Sequence, residues 1–372
     1  MVDLQNQYKS IKEQVDDEIQ KVVDTSAFIN GPIVKQFAGN LEKYLDVKKV
    51  IPCANGTDAL QIAMMGLGFK TGDEVIVPTF TYVATVEVIA LLGLKPVFVD
   101  VDGNTFNIDI AALPKVLNKN TVGIVPVHLY GQSPDMIELL EIASNEGVKV
   151  IEDTAQALGT QISTPQGEKM AGTLASVGTT SFFPSKNLGC FGDGGALMTN
   201  DEVLGQRLWQ IANHGQERKY YHDSIGLNSR LDSIQAAVLD VKLKYLNRYI
   251  EARQKAAKIY DDGLNRIEQI QCPIRSRFST HSFHQYTLKV LDQSRDKLRD
   301  FLAERGIPSM IYYPLPVHLQ KAYRHYGYKR GDLPMAEKLS DQVISLPIHT
   351  EIEIKEQEYI IDQVHAFYRK SI

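Results

Sequence analysis

Cysteine is scarce in this chain of 372 residues, which has only Cys53, Cys190 and Cys272. An odd number at such separations supports neither a disulfide framework nor a metal-ligand cluster, so free thiols and no metal site are expected. Charge of one sign is lacking too. Forty Lys and Arg stand against 45 Asp and Glu, a formal net charge of −5. That balance offers no broad field for nucleic acid or an anionic membrane, and a phosphate-bearing ligand would need local positive groups. No apolar run approaches the roughly 20 residues that span a bilayer. Met1–Gln5 show no basic stretch leading into an apolar one, so no signal peptide is expected, and a cytoplasmic location is. Neither GxGxxG nor GxxxxGK[ST] occurs, which argues against nicotinamide-dinucleotide and P-loop nucleotide chemistry.

What is present is ordinary globular material, 44% apolar and 23% charged, in a chain too long for one small core. Residues 6–24 place Tyr8, Ile11, Val15, Ile19, Val22 and Val23 at helical spacing. Helix-like and strand-like segments then alternate. Helices are expected at Asp58–Leu67, Val83–Leu92, Ile108–Leu117 and Met136–Glu146. Strands are expected at Glu74–Val77, Lys95–Val101, Val122–Leu129, Lys149–Glu152, Thr179–Phe183 and Gly195–Thr199. Short strands, apolar on both faces and separated by helices, predict an α/β fold with a mainly parallel sheet covered on both sides. Helical periodicity runs from Asp232 to about Asp262 and reads as a connector into a smaller α+β domain. That domain would hold a strand at His284–Val290 and helices at Asp296–Glu304 and Ile354–Tyr368. The expected division is 1–245 and 246–372.

Three segments could carry chemistry. In Thr179–Lys186 a lysine follows a buried strand and enters Asn187–Gly195, where four of nine residues are glycine. Ligands of open α/β sheets bind at such strand ends, and a desolvated amine becomes nucleophilic. A surface lysine on a turn is the plainer alternative. In Val150–Gln156 an acidic pair, Glu152 and Asp153, ends an apolar strand. Asp153 could hold a ring nitrogen protonated, bind Mg²⁺ or cap the next helix. In Cys53–Leu60, Gly56 and Thr57 open a helix, where N–H groups and the dipole favour an anion. An ordinary helix cap fits there as well.

Taken in order, these blocks resemble the sugar-nucleotide aminotransferases of the DegT/DnrJ/StrS type, within the fold-type I class of pyridoxal-phosphate enzymes. The resemblance extends over essentially the whole chain and includes Asn55–Leu60, Thr79–Thr85, Pro126–Gly131, Glu152–Gln156, Ser181–Lys186, Gly192–Asn200, His214–Gly215, Asn228–Asp232 and Tyr312–Gln320. It implies a seven-stranded type of sheet in the large domain. It also implies pyridoxal 5′-phosphate as cofactor, with pyridoxamine 5′-phosphate in the second half-reaction. Lys186 would hold the cofactor covalently and move the proton. Asp153 would pair with the pyridine nitrogen, Gln156 would sit by the ring oxygen, and Tyr82 would lie flat on the ring. Gly56, Thr57 and Ser181 would receive the phosphate, joined by Asn228 from a neighbouring subunit in a homodimer with shared active sites. Related sugar 3-dehydratases have histidine at the lysine position, so Lys186 argues for transamination.

Within the family, Cys53–Ile62, Ser181–Asn200 and Asn228–Asp232 most resemble enzymes that aminate UDP-linked 2-acetamido-3-keto-hexuronic acids for surface polysaccharide such as O-antigen, with glutamate as donor and 2-oxoglutarate as its product. Arg230 would then grip the sugar carboxylate in two places, or else form a salt bridge with Asp232. Tyr312, Tyr313 and His318 fall in the substrate-side loop. A neutral dTDP- or UDP-linked 3-keto or 4-keto-6-deoxy sugar is the alternative substrate. A regulatory protein on the same fold is the non-enzymatic alternative.

Overall fold

The computed structural model describes residues 2–370; Met1 and the last two residues lie outside the described part. One sheet organises the first two thirds of the chain. Its seven strands are β1 (Lys49–Cys53), β2 (Glu74–Pro78), β3 (Lys95–Val99), β4 (Thr121–Ile124), β5 (Lys149–Asp153), β8 (Val177–Ser181) and β9 (Gly195–Thr199). Their order across the sheet is β1-β9-β8-β5-β4-β2-β3. All pairings are parallel except those that β9 makes with β1 and β8. β6 (Gln161–Thr164) and β7 (Gly167–Met170) form a separate hairpin in the Gly/Thr-rich stretch that precedes β8. The two outer strands, β1 and β3, each begin on an exposed lysine, Lys49 and Lys95, and each contains a proline, Pro52 and Pro96. Proline cannot donate to a ladder on both sides, so an edge is where a strand tolerates it.

Helices cover both faces, as the two-sided apolar strands require. Helices α1 (Leu4–Thr25), α2 (Pro32–Leu45), α3 (Gly56–Leu67) and α4 (Ala84–Leu91) come first. On α1, Ile11 and Val15 pack against Val238 and Val241, which makes its apolar stripe a clamp on a later helix. Ile62, Met64 and Val86 bury themselves with Val75, Val77 and Ile151 of the sheet.

Three expected elements differ in detail. The strand expected over Val122–Leu129 ends at Ile124, because Pro126 has no N–H for the ladder; pairing resumes only at Val127, which bridges Asp153. Ile108–Leu117 forms a 3₁₀ turn, Ile110–Ala112, and a single helical turn, Leu113–Val116, rather than one helix. The long helix after Asp232 is two helices, Ser233–Leu243 and Leu246–Leu264. At the junction Lys244 and Tyr245 bond back three residues, to Val241 and Lys242, a tightening that breaks the α-helical register. The second helix changes partners along its length. Leu246 and Ile250 pack with α2, whereas Ala256, Tyr260 and Leu264 join another core.

That other core lies on a three-stranded antiparallel sheet, β12 (Ile270–Gln271), β13 (Tyr286–Val290) and β14 (Val343–Leu346). Helices Arg295–Ala303 and Ile354–Lys370 cover it, burying Leu298, Leu302 and Val364. Between it and β9, Gln216–Arg218 and Tyr221–His222 form the exposed hairpin β10–β11. Polar ties join the two sheets. Asp100, just past β3, accepts from the N–H groups of Met335 and Ala336, and Lys289 of β13 donates to the Gly103 carbonyl at 2.6 Å.

Candidate active site

The parallel strands end together, and a cavity of about 850 Å³ opens beyond their C-terminal edge, where ligands of open α/β sheets bind. β1 leads into it through Asn55, whose side chain caps α3 by accepting from the Asp58 N–H at 2.8 Å. Gly56 then starts the helix against the end of β8. A Cβ at this position would stand 2.7 Å from that of Ser181, so only glycine lets the two elements approach. Gly56, Thr57 and Ser181 therefore share one wall, at a helix start whose N–H groups suit an anion.

The acidic pair of β5 splits by strand alternation. Glu152 turns away from the cavity into full burial, where it accepts from the N–H groups of Gly172, Leu174 and Ala175 at 2.8–2.9 Å and meets His128 Nε2 at 3.1 Å. Burial pushes its pKa up, but His128 and the backbone donors outweigh that and hold it below the usual value. Asp153 faces the cavity. Its Oδ2 accepts from Thr85 Oγ1 at 2.9 Å and its Oδ1 from the Ala155 N–H at 3.0 Å, which fixes the carboxylate plane.

Lys186 stands half-buried on the same cavity, in the loop after β8, where its N–H donates to the Phe183 carbonyl at 2.8 Å. Burial lowers its pKa to about 8, against the opposing pull of Asp153. Gln156 is held at both ends of its amide: Oε1 accepts from the Tyr130 N–H at 2.8 Å and Nε2 donates to Tyr313 Oη at 3.0 Å. Tyr82 stands at the mouth, 58% exposed, with its ring centroid 6.4 Å from that of Tyr313. Tyr312 completes the aromatic side.

Three singled-out residues stand apart from this lining. His318 is enclosed, with Nδ1 2.7 Å from Thr79 Oγ1 and Nε2 3.3 Å from Glu337. Its ring ties the 317–319 turn to the end of β2. Asn228 is exposed and paired through its backbone with Asn213. Arg230 is half-buried, and among the described residues it makes no ion pair with Asp232 or any other acid.

The lining also contains groups that the motif reading passed over: Thr81, Glu87, Asp193, His284 and Gln285. A faint signal exists for β8, where three successive hydroxyls, Thr179–Ser181, interrupt an apolar strand. None exists for His284, which comes from the other sheet and meets the cavity only through tertiary structure. Among the lining residues Lys186 is the only Lys or Arg.

These residues fit pyridoxal phosphate. A helix start opposite Ser181 suits the phosphate, a fixed carboxylate suits the ring nitrogen, and an amine of lowered pKa suits the aldehyde. Thr81 Oγ1, buried on the lining with no partner among the described residues, leaves one more polar group to be met. Fold and site together define a fold-type I pyridoxal-phosphate transferase. The sequence profile of the DegT/DnrJ/EryC1/StrS aminotransferase family matches residues 9–365, and the chain belongs to that family. It is a pyridoxal-phosphate-dependent sugar aminotransferase.

Two curated relatives are each 43% identical. One is a pleiotropic regulatory protein of Geobacillus stearothermophilus, matched over 99% of this chain and 98% of its own. The other is the UDP-2-acetamido-2-deoxy-3-oxo-D-glucuronate aminotransferase of Pseudomonas aeruginosa, matched over 94% of both. A solved DegT/DnrJ/EryC1/StrS aminotransferase from Brucella abortus superposes with a TM-score of 0.92 at 40% identity, covering 98% of both chains.

Proposed function

We propose that this enzyme transfers an amino group from glutamate to a UDP-linked 2-acetamido-2-deoxy-3-keto-hexuronic acid, a step toward bacterial surface polysaccharide. The observation that carries this reading is Arg230, a guanidinium without an acid partner among the described residues, in a segment resembling that of uronic acid aminotransferases. The Pseudomonas relative, named for a 3-oxo-glucuronate, supports the same choice. Because the cavity's own walls hold only one cation, a substrate with a diphosphate and a carboxylate calls for positive groups from elsewhere. A second copy supplying the Arg230 guanidinium, with the neutral Asn228 amide as a further donor, meets that need, so the reading includes a homodimer with shared sites.

Bound in the cavity, pyridoxal phosphate would supply an electron sink for the electron pair left when the donor's Cα loses its proton. The chain does the rest. Asp153, held by Thr85 and the Ala155 N–H, would keep a positive charge on the ring nitrogen. Lys186, with its pKa lowered to about 8, would take the donor's Cα proton as a free amine and deliver it to the cofactor's C4′, and would run the same transfer in reverse toward the keto sugar. Gln156 and Tyr313 hold each other in place beside it.

The deciding experiment is a panel of UDP- and dTDP-linked 3-keto and 4-keto sugars, uronic and neutral, with glutamate and mass spectrometry of the products. Preference for a neutral 4-keto-6-deoxy sugar would overturn the substrate assignment. The regulatory name of the Geobacillus relative favours a second role. That role would show as a change in gene expression in a strain carrying an inactive Lys186→Ala enzyme in place of a deletion.

A further inference from the structure

The turn before β13 is forced into an uncommon shape. Phe283 has φ of 47°, a left-handed conformation that side-chain-bearing residues rarely adopt. Several contacts hold it there. Its N–H donates to His281 Nδ1 at 3.0 Å, and the two rings stack at 3.8 Å. Buried Arg253 donates through one nitrogen to the carbonyls of Phe283, His284 and Ile348 at 3.1–3.4 Å. On the far side Gly131 approaches so closely that a Cβ there would lie 2.9 Å from the Phe283 nitrogen. Strain that is over-determined in this way tends to be kept where it places a side chain for use.

The side chain it places is His284. The residue is 6% exposed, lines the cavity that also holds Lys186 and Asp153, and has a buried Nδ1 with no hydrogen-bond partner among the described residues. Nε2 faces the Gln285 amide nitrogen at 3.4 Å. An amide N–H directed at Nε2 makes that nitrogen the acceptor and leaves the ring hydrogen on Nδ1. Burial, Lys186 and Arg253 all disfavour the charged form, so the imidazole is neutral. A neutral N–H in a dry wall donates one hydrogen bond to an uncharged or anionic oxygen alike, and it costs most when nothing accepts it.

We propose that His284, set by the strained Phe283 turn and by Gln285, is a specificity residue whose Nδ1–H donates to an oxygen of the acceptor sugar. This rests on the sugar-nucleotide reading given above. A site built to hydrogen-bond a substrate oxygen discriminates more sharply than an apolar one. The amino donor, which is smaller, is processed without this contact.

The test separates the two half-reactions in the cofactor-loaded enzyme and its His284→Phe and His284→Asn variants. Phe keeps a ring and removes both nitrogens, while Asn keeps a donor near the Nδ1 position. In His284→Phe, kcat/KM for the keto sugar nucleotide should fall about 10- to 100-fold, mostly in KM. The glutamate half-reaction, followed by the cofactor's own absorbance, should stay within about threefold, and His284→Asn should recover part of the loss. Unchanged sugar kinetics in His284→Phe, or an equal loss in both half-reactions, overturns the proposal. A parallel titration with UDP-N-acetylglucosaminuronic acid, which lacks the keto group, reads binding alone. Weaker binding to His284→Phe than to the starting enzyme supports the proposal even if no tested keto sugar turns over, an outcome that would refute the catalytic assignment instead. No binding to either protein sinks both.

Discussion

The floor of the cavity and the segment Asn228–Asp232 both carry polar side chains, but they satisfy them differently. On the floor, Asp153 has Thr85 and the Ala155 N–H, and Gln156 has Tyr130 and Tyr313. In the segment, Asn228 is exposed, and Arg230 finds no acid among the described residues. A polar group already engaged within its chain is positioned before any ligand arrives. One without a partner is free to meet something outside the chain. The floor is thus set as folded, and the segment is where the proposed second copy would act.

The largest effect should come from the floor. Lys186→Ala is expected to abolish transamination, and borohydride reduction of the unaltered enzyme should label the peptide that contains Lys186. A label elsewhere breaks the assignment. Asp153→Asn comes next. It keeps an acceptor oxygen for the Ala155 N–H, and the Thr85 hydroxyl can turn to accept from the new amide, but the charge is lost, so the protein should melt near the unaltered temperature while kcat falls by about 10²–10³. Near-normal turnover would reduce Asp153 to a turn-stabilising residue.

The segment is probed by mixing. Inactive Lys186→Ala and inactive Asn228→Ala chains, allowed to exchange, should recover up to roughly a quarter of the activity, because a hybrid dimer holds one site with neither lesion. Exchange without recovery would return the segment to its own chain. For Arg230 the expected change is smaller. Arg230→Ala should lower the preference for a uronic over a neutral sugar by about 10- to 100-fold in kcat/KM, with Arg230→Lys between the two, since it keeps the charge and loses the fork. Equal preference in all three proteins removes Arg230 from substrate recognition. The last test, which removes no side chain, is one of pH. A lysine held at about 8 is protonated below that value, so capture of pyridoxal phosphate by the cofactor-free protein should rise about tenfold per pH unit up to about 8 and level off above it. A rise continuing toward the ordinary lysine value near 10.4 would show that burial does not act on this amine.

The elements most legible in the sequence are those whose signal is local. β2, β5 and β9 are short, buried runs, each with a helix directly on at least one side, and their bounds agree with the reading to within a residue. Two elements that the reading omits carry signals of their own. α2 has Pro32 in its first turn and Val34, Phe37, Leu41 and Leu45 at helical spacing, and β1 alternates only weakly because both of its faces are covered. The break at Lys244–Tyr245 has no local marker, neither Gly nor Pro, because what turns the chain there is a change of packing partner. The site divides in the same way. Lys186, Asp153 and Gly56 lie in motifs. His284 lies 28 residues from the nearest quoted motif block, Tyr312–Gln320, and reaches the cavity only because Arg253 and Gly131 shape its turn.

The outer strands of the large sheet bear on how copies of this protein meet. Each opens on an exposed lysine and carries a proline, at Lys49 and Pro52 on one side and Lys95 and Pro96 on the other. A ladder grown outward from either edge would have to bury an ammonium group and skip a donor, which makes edge-to-edge pairing a poor route to association. Sheet edges sealed in this way leave side-chain surfaces as the meeting ground. A crowded population of these chains is thereby steered toward discrete, closed assemblies and away from open-ended fibres.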